Sequence, residues 1–126
     1  MITFKYIIRH YKSFLIALII LTLSVLSTDE IAPRSITSIP YADKVVHFLL
    51  YTGLSLILFI EFNKSFLSLF PGLVIPLLIS ILYGGLIEIV QMFIPYRSAD
   101  IIDFLFDIGG TLMGMALFFL WRKIRY

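Results

Sequence analysis

The sequence predicts an all-α fold, an integral membrane bundle of four transmembrane helices with both termini in the cytoplasm. Of its 126 residues, 60% are hydrophobic and the mean hydropathy is +1.02, whereas soluble domains are about 45–50% apolar. Four long apolar runs are separated by short polar connections, and basic residues concentrate at one set of run ends. With no internal repeat, residues 1–126 are expected to form one domain.

The apolar runs have nearly the lengths that membrane-spanning helices need. They cover residues 11–26, 45–60, 70–94 and 101–121. A spanning helix needs roughly 20 residues, so the first two runs would use flanking polar residues to complete the crossing. The connections are residues 27–40, expected to form an ordered loop, 61–69 and 95–100. Alternatively, residues 5–27 fit a cleavable signal peptide, which would leave three helices.

The positions of basic residues predict the orientation, because cytoplasmic loops and ends carry an excess of Lys and Arg. With cytoplasmic termini, the inside carries Lys5, Arg9, Lys12, Lys64, Arg122, Lys123 and Arg125. The outside then carries only Arg34, Lys44 and Arg97. Anchoring at the membrane surface explains the basic termini, so we expect no nucleic-acid partner.

The composition also limits the chemistry that the chain can perform. The absence of cysteine removes disulfides, thiol catalysis and thiolate metal sites. We predict no cofactor, and a metal ion enters only through the enzyme hypothesis given below.

Polar residues inside the apolar runs are the strongest functional signal, because ionisable groups within a membrane are costly. Residues three or four apart share one face of a helix. Three such stripes are Asp43, His47 and Tyr51, then Glu88 and Gln91, then Asp100, Asp103 and Asp107. Glu88 and Asp107 would each lie on the order of 10 Å below the outer helix ends, beneath Arg97. The sequence therefore predicts a polar pocket open to the outer side.

Several of these residues also have structural interpretations. The motif Gly110-x-x-x-Gly114 and the pair Gly84-Gly85 are typical of closely packed helices. Lys44 could extend its ammonium towards water. Arg97 could pair with Glu88 through a bidentate bond. Asp43, one turn before His47, could hold the imidazole in one tautomer.

The polar residues together resemble the VanZ-like family of small membrane proteins. The matching pattern is Asp43-Lys44-x-x-His47-x-x-x-Tyr51, followed by Glu88-x-x-Gln91-x-x-x-Pro95-x-Arg97-x-x-Asp100-x-x-Asp103-x-x-x-Asp107-x-x-Gly110-x-x-x-Gly114. It covers about residues 40–120. The resemblance implies a multi-helix inner-membrane protein and a link to low-level resistance to the glycopeptide teicoplanin. This chain departs from the family at Asp107, where Asn is usual.

The first functional hypothesis is a non-catalytic pocket that binds an envelope lipid, a lipid-linked cell-wall precursor or a glycopeptide-like ligand. The residues assigned to ligand binding are Lys44, Tyr51, Gln91, Arg97, Asp100 and Asp107. The basic side chains would attract phosphate or carboxylate, and the acids would attract amines.

Two further hypotheses remain open. In a membrane-embedded enzyme, His47 oriented by Asp43 would be the general base, and Glu88 or Asp103 would be the acid. There Arg97 would hold phosphate, and the residues for a divalent cation would be Asp100, Asp103 and Glu88. Alternatively, the chain would be a transport or structural subunit, forming a homo-oligomer or binding another membrane protein.

Overall fold

The computed structural model describes residues 2–26, 39–63, 69–95, 97 and 99–125. Within these ranges the chain forms helices and no strand, which confirms the all-α prediction. The helices are α1 (Ile2–Arg9), α2 (Tyr11–Val25), α3 (Ala42–Asn63), α4 (Leu69–Met92) and α5 (Ile101–Arg125). Most of the predicted loop over residues 27–40 lies outside the described residues.

Three helices, α3, α4 and α5, are long and apolar enough to cross a membrane, and α2 is a shorter apolar helix of 15 residues. At 1.5 Å per residue α2 is about 22 Å long, against roughly 30 Å of hydrocarbon. The preceding α1 is separated from α2 by a bend at His10. It exposes Phe4, Ile7 and Ile8 and carries basic residues, a composition typical of a helix lying at a membrane surface.

Helix α3 is longer than the predicted run over residues 45–60. Its 22 residues reach Asn63, so it is about 33 Å long and needs no help to cross a membrane. Glu61 and Phe62, predicted to lie in a connection, are buried in its last turns. Burial of Glu61 is compensated by the Ser13 hydroxyl of α2, which donates to Glu61 Oε2 at 2.6 Å.

The four apolar helices alternate in direction. Contacts between α3 and α5 follow the same order along both helices, from His47 with Asp107 to Phe59 with Phe118, so these helices are parallel. Helix α2 is opposite to α3, since Ser13 contacts Glu61. It is parallel to α4, since Tyr83 contacts Ala17 and Gln91 contacts Ser24. The start of α3, the end of α4 and the start of α5 therefore meet at one end, which we call the acidic end. The opposite end, the basic end, carries Lys5, Arg9, Lys12, Arg122, Lys123 and Arg125.

The most extensive helix contact joins α3 and α5. A Cβ at Gly110 would collide with the Phe48 carbonyl oxygen, and a Cβ at Gly114 would lie 2.6 Å from the Thr52 carbonyl oxygen. These close approaches confirm that the Gly-x-x-x-Gly motif brings two helix backbones together. Aromatic stacking of Phe59 on Phe118, with ring centroids 5.6 Å apart, continues the contact towards the basic end.

The substitution Gly110→Ala is expected to destabilise the protein by about 1–3 kcal/mol, because the new methyl group must push α3 and α5 apart. Thermal unfolding in detergent micelles would report the loss through the fluorescence of Trp121, the single tryptophan, whose ring lies 6.0 Å from that of Phe118.

Gly53→Ala is the matched control for this prediction. A Cβ at Gly53 meets no atom within 4 Å, and alanine in a helix is favoured over glycine by roughly 0.5–1 kcal/mol. Equal stability of the two variants would contradict the assignment of Gly110 to helix packing.

Candidate functional site

Lys44 contacts three carboxylates at the entrance of the polar cluster at the acidic end. Its Nζ lies 2.9 Å from Asp103 Oδ1, 3.2 Å from Asp100 Oδ2 and 3.5 Å from Asp43 Oδ2. The ammonium therefore ties the start of α3 to the start of α5 instead of extending freely to water. Asp100 also caps α5, since its Oδ1 accepts the N–H of Ile102 at 2.9 Å. This N–H and the Lys44 ammonium lower the pKa of Asp100.

His47 forms the second layer of the cluster, one turn below Lys44. Its Nδ1 lies 2.8 Å from Oδ1 of Asp107, whose side chain is fully buried. The predicted partner, Asp43, is about half exposed and faces Lys44 instead. The expectation that Asp43 orients His47 is therefore wrong. Helix α5 packs closely enough against α3 to present Asp107, which lies directly opposite the imidazole.

Glu88 approaches the same cluster from α4. Its Oε2 accepts the backbone N–H of Asp100 at 3.1 Å. Glu88 also lines a cavity of about 220 Å³ at the acidic end. The residues around this cavity are Gly85, Glu88, Ala99, Asp100, Ile101 and Phe104. The Glu88 carboxylate thus lies between the cavity, which Asp100 also lines, and the His47–Asp107 pair.

Arg97 has a structural role that the sequence did not indicate. Its guanidinium donates to the carbonyl oxygens of Leu23, at 3.0 Å, and Leu26. The last carbonyls of a helix lack intrahelical donors and carry partial negative charge, so Arg97 caps α2. The proposed Arg97–Glu88 pair is wrong, because Glu88 bonds to backbone instead. Gln91 also forms a hydrogen bond with α2: its Nε2 donates to Ser24 O at 3.4 Å.

Three buried polar atoms of the cluster have no hydrogen-bond partner among the described residues: Glu88 Oε1, Asp107 Oδ2 and the Tyr51 hydroxyl. Tyr51 and Asp107 are both fully buried. Their side chains meet at Gly84, where a Cβ would lie 3.1 Å from Asp107 Oδ2 and 3.4 Å from Tyr51 Cε1. Most buried polar atoms in proteins are hydrogen-bonded, so these three mark the part of the cluster that the fold leaves unsatisfied.

A second polar cluster, not predicted from the sequence, lies at the basic end. Glu61 accepts from the Ser13 hydroxyl, at 2.6 Å, and from the Ser13 N–H, at 3.4 Å. Nδ1 of His10 lies 3.4 Å from Glu61 Oε2. The helical spacing of Glu61 from the buried Leu54 and Leu58 was the available signal, because it places Glu61 on the inner face of α3.

At the helix ends, the charged groups of this cluster are therefore paired with one another. In its centre, buried polar atoms have no hydrogen-bond partner among the described residues. The described cations near it, Lys44 and Arg97, already bind carboxylates and carbonyls. In the centre, one ligand atom each from His47, Glu88 and Asp107 lie within 4.8 Å of one another. Such a centre can accept hydrogen bonds from a cationic ligand group or coordinate a metal ion.

Comparison with known proteins gives a family match. The model of the VanZ/LLP1 family matches residues 1–122, a range that includes α2 and both polar clusters. No curated protein and no solved structure matches the chain. The match confirms the resemblance drawn from the polar pattern.

Arg97→Ala is expected to loosen the last turn of α2 and to cost about 1–2 kcal/mol, because its hydrogen bonds to α2 carbonyls are lost. Hydrogen exchange in micelles would show faster exchange of the Leu26 amide, which now donates to Thr22 O at 3.0 Å. Lys123→Ala, which removes a basic side chain at the other end, is the control. Unchanged exchange in Arg97→Ala would contradict the capping role.

Proposed function

Because the chain belongs to the VanZ/LLP1 family, we propose that it is a multi-pass protein of the cell inner membrane whose polar pocket binds the headgroup of an envelope lipid or a lipid-linked cell-wall precursor. The observation that carries this proposal is the unsatisfied Glu88 Oε1, a buried acceptor on a carboxylate that borders a cavity. An intramembrane ionisable group is a functional site by default.

The dimensions of the cavity support a headgroup rather than a whole large molecule. Its volume is about 220 Å³, below the roughly 300–1,000 Å³ typical of pockets for drug-sized ligands. One polar group would enter, while the rest of an amphiphile stays in the surrounding membrane. A glycopeptide could place no more than one substituent there.

The electrostatics of the pocket support a ligand that supplies donors or positive charge. Lys44 is engaged by Asp100 and Asp103, and Arg97 caps α2. The carboxylates of Glu88 and Asp107 thus outnumber the available cations around the pocket. Direct capture of a phosphate by Arg97, expected from the sequence, is not supported by these contacts.

The orientation we propose keeps both termini in the cytoplasm. Six described basic residues lie at the basic end, and the two at the acidic end, Lys44 and Arg97, are engaged within the protein. The positive-inside rule favours the cytoplasm for the basic end. The pocket would then open to the outer side of the membrane.

An enzyme acting on a lipid-linked substrate is the second candidate. The observation in its favour is the 2.8 Å contact of His47 with Asp107 beside the unpartnered Glu88 oxygen. In that scheme Asp107 would hold the imidazole as general base and Glu88 would be the acid. His47→Gln would then retain bound substrate that the wild type releases as product.

The orientation has a direct test because the chain has no cysteine. In intact cells, a membrane-impermeant maleimide is expected to label Ile39→Cys at the acidic end and not Ile124→Cys at the basic end. Both positions are exposed, so permeabilised cells should label both. The reverse pattern in intact cells would refute the proposed orientation.

Ligand binding is tested by native mass spectrometry of the protein extracted with its native lipid. The wild type is expected to retain one envelope amphiphile, and Glu88→Gln to lose occupancy about tenfold, equivalent to ~1.4 kcal/mol. The intact mass would also reveal a homo-oligomer or a bound partner protein.

The proposed link to resistance is tested separately, by comparing the teicoplanin sensitivity of cells that express the wild type with that of cells that express Glu88→Gln.

Glu61→Gln is the matched control, a buried glutamate at the basic end. It is expected to retain the amphiphile. Equal retention by the wild type and both variants would refute the assignment of the pocket to Glu88.

A further inference from the structure

Helices α3, α4 and α5 each bring one potential metal ligand to the centre of the cluster. Ligand atoms of His47, Glu88 and Asp107 lie within 4.8 Å of one another, and His47 Nδ1 lies 2.8 Å from Asp107 Oδ1. We propose that these three side chains bind a divalent transition-metal ion, with Zn²⁺ as the best-fitting ion. The sequence suggested a divalent cation only within the enzyme hypothesis, and at Asp100, Asp103 and Glu88 rather than at these three residues.

The three side chains lie close enough together to converge on one ion. Zinc lies about 2.0–2.2 Å from imidazole nitrogen and carboxylate oxygen. Two ligand atoms of a tetrahedral zinc ion are therefore about 3.3–3.6 Å apart. The three ligand atoms lie within 4.8 Å of one another, and the ion would replace the 2.8 Å hydrogen bond between His47 and Asp107. Glu88 Oε1 can move towards the ion without losing a hydrogen bond to a described residue.

A cation would satisfy atoms that the protein leaves without partners. Glu88 Oε1 and Asp107 Oδ2 are buried and accept no hydrogen bond from a described residue. Buried charges in proteins are normally paired or coordinate metals. No described Lys or Arg side chain contacts either carboxylate, since Lys44 binds Asp100 and Asp103.

Tyr51 supplies an independent indication of a ligand at this place. Its hydroxyl is fully buried and has no partner among the described residues. Its ring edge and Asp107 Oδ2 both face Gly84, at 3.4 and 3.1 Å from the position of a Cβ there. The missing side chain at Gly84 leaves space for the Asp107 carboxylate, and the hydroxyl is available to a water or anion bound to the ion.

The donor set selects among the common metals. Imidazole nitrogen suits zinc, copper, iron and nickel, whereas Mg²⁺ and Ca²⁺ prefer six or more oxygen ligands. One nitrogen and two carboxylates leave a zinc ion with an open fourth position, as in zinc sites that bind a further molecule. Glu88 borders the cavity, so a molecule in the cavity would reach the open fourth coordination position of the ion.

A bound cation would also determine what the pocket recognises, a consequence that rests on the proposed function. With Lys44 and Arg97 engaged, the protein alone offers a phosphate no free cation near the cavity among its described residues. A metal ion at Glu88 would supply the missing positive charge. The headgroup would then be anionic, with a phosphate or carboxylate oxygen as the fourth ligand.

The experiment uses the full chain, purified in micelles, stripped with a chelator and titrated with Zn²⁺. Elemental analysis is expected to find one Zn²⁺ per chain, and thermal stability followed through Trp121 should rise on its addition. Glu88→Gln, Asp107→Asn and His47→Gln should each weaken Zn²⁺ binding by about tenfold or more. Substitution of Co²⁺ should give visible absorption bands that these variants lack.

The control is Glu61→Gln, which alters the other histidine–carboxylate cluster and should bind Zn²⁺ like the wild type. A wild type that binds neither Zn²⁺ nor Co²⁺ overturns the inference, and this result stands even if a variant fails to fold. Binding lost only in Glu61→Gln overturns it as well. A wild type that binds neither metal but retains an amphiphile lost in Glu88→Gln refutes the metal site and leaves the proposed function intact.

Discussion

The close approach of α3 and α5 determines which residues meet in this protein. Without side chains at Gly110 and Gly114, the two backbones come within contact distance of each other. Because the helices are parallel, this contact sets one register over their whole length, from His47 and Asp107 to Phe59 and Phe118. A shift of one residue would turn Asp107 away from the imidazole and towards lipid, where an ionised side chain is costly.

The second constraint comes from the membrane, in which polar groups need hydrogen-bond or ionic partners within the protein. The fold meets it at both ends by joining helices through side chains, Lys44 with Asp103 at the acidic end and Ser13 with Glu61 at the basic end. Arg97 does the same for the carbonyls that end α2. Against this background the unpartnered oxygens of Glu88, Asp107 and Tyr51 at the acidic end are exceptions. The position of Glu88 beside a cavity connects the packing to the proposed function.

Both proposals address the same excess of negative charge, at different levels of detail. Binding of a headgroup requires only that the unsatisfied carboxylates receive donors or a cation from outside the chain. The metal site specifies that cation and assigns His47 as its nitrogen ligand. The proposed metal site would use the negative charge of Asp107 as well as its carboxylate oxygens.

The sequence by itself determined the fold class, the apolar runs and the gathering of polar stripes at one end, because helical periodicity and hydropathy are local properties. It also identified the glycines of the α3–α5 contact. It did not determine the pairing: His47 binds Asp107 rather than Asp43, and Arg97 caps α2 rather than binding Glu88. These choices depend on how helices rotate and pack against one another, which single-helix spacing does not specify. Only the tertiary structure could therefore decide which acids are neutralised within the chain and which remain for a ligand.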